Sequence, residues 1–118
     1  MGLRKLKLLN QFICMVAMSI ALQGAYALER VDNFMLLDHM GDAHELYYHR
    51  NASAIVMMVQ GNGCPIVRNA IGEFKELRDK YADQGAQFFM VNSNLQDHRT
   101  TIRTEAEKYG IDIPILDD

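Results

Sequence analysis

The sequence predicts an α/β fold whose sheet contains parallel strands. Three observations predict it. Ala54-Ile55-Val56-Met57-Met58-Val59 and Ala86-Gln87-Phe88-Phe89-Met90-Val91 are apolar runs of strand length. Between them, Val67, Ile71, Phe74, Leu77 and Tyr81 recur every three or four residues, which is one helical stripe. A second helical pattern, with Ile102, Ala106 and Tyr109 in line, precedes a last apolar run over residues 111–116. Strand, helix, strand, helix, strand is the alternation that builds parallel pairs with helices packed on the sheet.

The elements follow in order. Residues 31–50 read as irregular or hairpin-like, with Phe34-Met35-Leu36-Leu37, a turn at His39-Met40-Gly41-Asp42, and a return over residues 45–49. The run 54–59 lacks alternation, so it predicts a central strand covered on both faces. Gln60-Gly61-Asn62-Gly63 breaks it, and the first helix spans residues 65 to about 81, with Gly85 as a stop. The second strand ends in Asn92-Ser93-Asn94. The second helix runs from about Thr100 to Tyr109 and stops at Gly110, and the last strand contains Pro114. Met57, Met58 and Met90 read as core filler.

The chain has 118 residues, 49% hydrophobic and 23% charged, with 8 Gly and 2 Pro. That is one domain at most, and neither collagen-like nor disordered. Its charge is unevenly divided. Arg4, Lys5 and Lys7 are the only charged residues among the first 27, followed by the uncharged residues 8–22 and by Ala25-Tyr26-Ala27. A basic start, a short apolar region and an A-x-A ending describe a secretory signal peptide over residues 1–27. The apolar stretch falls short of the roughly 20 residues that span a bilayer, so no membrane attachment is expected after cleavage. The expected location is the periplasm or the exterior. Residues 28–118 form the domain and carry 9 Lys and Arg against 15 Asp and Glu, a formal charge of −6. An acidic body lacks the concentrated basic face that nucleic acids require.

Cys14 leaves with the signal, and Cys64 is then the lone cysteine, in a compartment that favours disulfides. It follows a strand and a Gly-containing turn and precedes Pro65, which suits the first helical position because its missing N–H costs nothing there. Cys64 is therefore expected at or near the helix N-cap, its sulfur facing unpaired N–H groups and the positive end of the helix dipole. Both favour the thiolate, the nucleophilic form of the side chain. Arg68, one turn further on, is a candidate for electrostatic support. His39, His44 and His49 are spaced five apart, which separates them on a helix and alternates them on a strand; neither metal nor cofactor is implied.

From residue 31 to 118 the chain resembles the thioredoxin-like redoxins, in the peroxiredoxin-like branch related to alkyl hydroperoxide reductase and thiol-specific antioxidant proteins. The resemblance rests on Phe34…Leu37-Asp38…Gly41, Gly63-Cys64-Pro65-Ile66-Val67-Arg68, and Phe74…Leu77…Tyr81. It extends through Gly85-Ala86-Gln87-Phe88, Val91-Asn92-Ser93-Asn94 with Gln96-Asp97, and Tyr109-Gly110-Ile111…Pro114-Ile115-Leu116…Asp118. It implies a thioredoxin-like fold and a thiol oxidoreductase or peroxidase in which Cys64 is the nucleophile. The thioredoxins' second cysteine would fall at Val67, so the partner would be an external thiol, or a disulfide reductant or substrate protein. The peroxiredoxins' threonine would fall at Gly61, leaving Asn62 as the polar substitute that supports a peroxide. The family's C-terminal hairpin, which opens with a cis-proline, has no counterpart here, because Pro114 lies too early to fill that role. The domain therefore reads as incomplete, with an open sheet edge after Leu116 through which chains self-associate. These departures sustain an alternative, a non-catalytic thioredoxin-fold interaction module or inactive truncated relative.

Overall fold

The computed structural model describes residues 31–118, and the signal peptide expected over residues 1–27 lies outside the described residues. The elements are β1 (Met35–Asp38), β2 (Ala43–Glu45), a 3-10 helix (Leu46–His49), β3 (Ala54–Val59), α1 (Pro65–Ala82), β4 (Ala86–Asn92), α2 (Arg99–Tyr109) and β5 (Ile115–Asp117). They form one five-stranded sheet in the order β2-β1-β5-β4-β3. β3, β4 and β5 run parallel, with Val56 beside Phe88 and Met90 beside Ile115. The β1–β2 hairpin joins antiparallel, with Asp38 beside Leu116. This is the mixed α/β, thioredoxin-like architecture expected.

The core forms on one face of the sheet. Phe88, Met90, Ile113 and Ile115 meet Ile71 and Phe74 of α1 and Ile102 and Ala106 of α2, and Val56 and Met58 pack against them. The α1 stripe is as predicted except at Leu77, which stays 42% exposed. Gly110 adopts φ +62 and ends α2 in the left-handed conformation that glycine accepts without a Cβ clash. On the opposite face Phe89 and Leu116 are buried, and the rings of His44 and His49 meet Phe89 edge-on at 5.3 and 5.1 Å.

Four expectations need correction. β3 is an outer strand, and Val59 is 74% and Met57 41% exposed, so this apolar run is not covered on both faces and Met57 is not core. β5 is internal, paired on both sides, so Leu116 marks no open edge; the outer strands among the described residues are β2 and β3. The β4–α2–β5 crossover returns the chain between β4 and the hairpin, a placement that apolar content alone does not specify. Residues 111–114 are not strand: β5 begins only after Pro114, which has no N–H to donate to a ladder. The return arm of the hairpin is strand only to Glu45 and then turns into the 3-10 helix, which brings His44 and His49 together as stacked rings 6.5 Å apart.

Two buried polar residues tie the hairpin to β5. His39 N–H donates to the Ile115 carbonyl at 2.9 Å, and Ile115 N–H donates to His39 Nδ1 at 3.1 Å. Burial pushes the His39 imidazole below the ordinary histidine range, and the nearby Arg103 acts in the same direction against Asp38. Burial pulls Asp38 upward, but the His44 ring and the N–H groups of Asp42 and Met40 together outweigh it and hold the carboxyl below its usual range.

The signs give a pH profile. Because the native state resists protonating His39, the unfolded chain binds the extra proton. Stability should be level above about pH 6.5 and fall as pH drops below it, by up to about 1.4 kcal/mol per pH unit for one proton. The Asp38 contribution is present above about pH 3.9 and is lost only as pH falls further. Urea midpoints at pH 7.5, 6.5 and 5.5 test the first step. His39→Gln, which can still accept from Ile115, should flatten it; an equal slope in the variant would assign the proton elsewhere.

Candidate functional site

Cys64 lies where β3 passes through a four-residue turn into α1. It is the N-cap residue, with φ −71 and ψ 115, and Pro65 takes the first helical position. Its carbonyl accepts the Arg68 N–H at 3.1 Å, and its own N–H closes the turn onto the Gly61 carbonyl at 3.2 Å. Gly63 has φ +74, a conformation that a side chain would strain. The thiol is free and half-buried. No hydrogen bond links the sulfur to the first turn of α1, in contrast to the facing arrangement expected. The extended backbone at Cys64 sets the helix direction without closing a side-chain cap, so what remains on the sulfur is the field of the helix end.

The turn is held from the α2 side. Asp97 Oδ2 accepts the Asn62 N–H at 2.9 Å, together with Asn92 Nδ2 at 3.0 Å and Asn94 Nδ2 at 3.2 Å. Burial would raise the Asp97 carboxyl, but the Asn92, Asn62 and Asn94 donors overcome that and hold it below the ordinary range. Glu105 Oε1 accepts the Gly63 N–H at 2.9 Å, and the Arg68 guanidinium donates to the Gly63 carbonyl at 2.7 Å. Arg68 also lies 4.9 Å from the centre of the Tyr109 ring and 4.0 Å from Glu105. Beneath the turn, the fully buried Asn92 donates to Gln60 Oε1 at 2.8 Å, and Gln60 Nε2 donates to Asn62 Oδ1 at 3.1 Å.

Of the residues singled out from the sequence, Cys64, Pro65, Asn62 and Arg68 do come together in this one turn. Asn62 is built into its scaffold, its amide oxygen engaged by Gln60. Arg68 folds back to donate to the Gly63 carbonyl, and its charge faces Glu105. Sequence reasoning missed Asp97, Glu105, Asn92, Gln60 and Tyr109 as parts of the site. Asn92-Ser93-Asn94 with Gln96-Asp97 pointed at the first of these, whereas Glu105 reaches Gly63 from 42 residues away with no local pattern. A cleft of about 610 Å³ lies at the carboxyl ends of β4 and β5, lined by Asn94, Asp97, Arg99, Arg103 and Asp117 among others; it shares Asp97 with the turn network, and Cys64 is not part of its wall. Among the described residues, no three His, Cys, Asp or Glu side chains converge as a metal site.

A strand, a glycine turn, a cysteine N-cap and a proline-started helix on a mixed sheet agree with a thioredoxin-like, peroxiredoxin-like protein, and the family match gives that class. Residues 28–118 match the AhpC/TSA family, and the chain belongs to it. No curated protein matches the chain. Among solved structures, a hypothetical protein from Sinorhizobium meliloti 1021 is 26% identical with a TM-score of 0.65, covering 75% of this chain and 51% of its own. A peroxidoxin from Mycobacterium tuberculosis is 20% identical with a TM-score of 0.62, covering 76% and 57%. A thiol:disulfide interchange protein of the thioredoxin family from Chlorobium tepidum is 15% identical with a TM-score of 0.58, covering 73% and 57%. The chain thus spans between half and three fifths of the length of these structures.

Asn92 tests the scaffold. Asn92→Ala leaves Gln60 Oε1 and the N–H of Asn94 without their partner and removes one donor to Asp97. Such losses at buried sites cost about 1–3 kcal/mol. The urea midpoint should fall accordingly, and an unchanged midpoint would show that water replaces the amide without loss.

Proposed function

We propose that the chain is an exported thiol-dependent oxidoreductase, peroxidase-like, with Cys64 as its nucleophile. The observation that carries this reading is the free, half-buried thiol at the N-cap of α1, in a chain of the AhpC/TSA family. The thiolate attacks one oxygen of a hydroperoxide, so that an S–O bond forms and the O–O bond breaks. The electron pair leaves on the second oxygen, which takes a proton from water. Sulfur is oxidised by two electrons to a sulfenic acid. An external thiol then displaces water to give a mixed disulfide, and a second external thiol releases Cys64 and carries away the new disulfide. Val67 occupies the position from which an internal thiol would act. Attack on a protein disulfide uses the same thiolate and the same external thiols. The interchange protein among the structural neighbours keeps that substrate beside peroxide.

Export is supported by the composition of residues 1–27 and by a family match that begins at residue 28. Peroxide treatment of the purified protein should give a sulfenic acid at Cys64 that dimedone traps, and Cys64→Ser should abolish the adduct. Unfolding should bring the reactivity down to that of an ordinary cysteine, because the helix end exists only in the fold. No adduct on the folded protein would leave the non-catalytic module as the reading. The same intact-mass spectra should show a chain beginning at Leu28; a chain retaining Met1 would overturn export.

The edge of β3 is our proposed route of self-association. Ala54-Ile55-Val56-Met57-Met58-Val59 carries neither a charge nor a proline to guard an outer strand, and its Met57 and Val59 are exposed. Sedimentation of the chain from Leu28 to Asp118 should show concentration-dependent association that Val59→Lys weakens. A monomer at all concentrations would refute it.

A further inference from the structure

The N–H groups of Asn62 and Gly63, the two residues before Cys64, are each taken by a carboxylate from the α2 segment. Asp97, immediately before α2, accepts from Asn62 at 2.9 Å, and Glu105, within α2, accepts from Gly63 at 2.9 Å. Both are half-buried, and the Glu105 side chain is only 17% exposed. The Gly63 peptide is gripped at both ends, because its carbonyl accepts from Arg68 at 2.7 Å. Asp97 and Glu105 lie 35 and 42 residues along the chain from the groups they hold, so these bonds fix the turn against the fold rather than against its own neighbours.

We propose that Asp97 and Glu105 are positioning residues for Cys64, which anchor the turn before it to α2 and thereby set where the sulfur is presented at the start of α1. The proposal rests on the reading of Cys64 as the nucleophile. Neither carboxylate takes part in the chemistry. Their hydrogen bonds go to the backbone of the turn, so their value to the site is geometric. Placement errors of an ångström at a reacting atom cost up to about 100-fold in rate, and supporting residues are what hold such placement.

Alanine and amide substitutions separate geometry from charge. Asp97→Ala and Glu105→Ala remove both the charge and the acceptor oxygen. Asp97→Asn and Glu105→Gln remove the charge but keep an oxygen that accepts a backbone N–H. The measurement is the rate of iodoacetamide alkylation at Cys64 in the folded chain from Leu28 to Asp118, divided by the rate in urea, alongside hydrogen exchange at the Asn62 and Gly63 amides. Positioning predicts that each alanine variant loses protection at its own amide, that the folded rate shifts by about tenfold, and that the amide variant restores both. A charge effect would instead move the alanine and amide variants alike, toward faster reaction, and would overturn the proposal. Equal rates in all variants, with exchange at both amides unaltered, would overturn it too. Alkylation reads the position of the sulfur whatever its reaction with peroxide. A wild-type chain that alkylates but forms no sulfenic acid therefore refutes the proposed function and leaves this inference to be judged on its own.

Discussion

Ile115 and His39 exchange a reciprocal pair of hydrogen bonds, backbone to carbonyl in one direction and backbone to imidazole nitrogen in the other. Through that pair a three-residue strand joins the antiparallel hairpin to the parallel half of the sheet. Ile115 and Leu116 are 0% and 1% exposed and point to opposite faces, so β5 contributes to both layers at once. The core on the helical face closes around Ile115. The smaller apolar layer beside His44, His49 and Phe89 closes on Leu116. Arg103 of α2 donates to the carbonyls of His39 and Met40, so the same junction also fixes the helix that faces the cysteine turn.

From that junction the path to the thiol is short. α2 is seated by Ile102 and Ala106 in the core, and on its other flank it offers Glu105 to Gly63. β4 ends at Asn92, whose amide reaches both the last residues of the β3 side and the carboxylate of Asp97. The turn before Cys64 therefore belongs energetically to β4 and α2 as much as to β3 and α1. Polar groups in such a network are costly when left unpaired, and among the described residues no buried side-chain nitrogen or oxygen lacks a partner. The network ties the glycine-containing turn before Cys64 to β4 and to the α2 segment.

Much of this was legible beforehand. The cysteine N-cap, the proline at the first helical position, the α1 stripe apart from Leu77 and the glycine that stops α2 are local matters of dihedral preference and periodicity, and they came out as read. The neighbours of β3 were not legible. A continuous apolar run reads the same whether a strand is central or outer, because hydropathy reports how much surface a strand can bury and not which strand lies beside it. The meeting of His44 and His49 on Phe89 was missed for a related reason. Neither helical nor strand spacing describes a segment that changes from one to the other between them.

Sequence alone determined β3, β4 and the two α-helices, the presence of one cysteine in residues 28–118, and its place at the start of a helix, since each follows from the chemistry of a few adjacent residues. Tertiary structure decided the strand order, the exposed flank of β3 and the carboxylates that hold the turn. Glu105 and Gly63 are 42 positions apart, and their hydrogen bond exists only because the β4–α2–β5 crossover lays α2 beside the end of β3. A contact of that kind is set by how helices pack on a twisted sheet, and no window along the chain contains both of its partners.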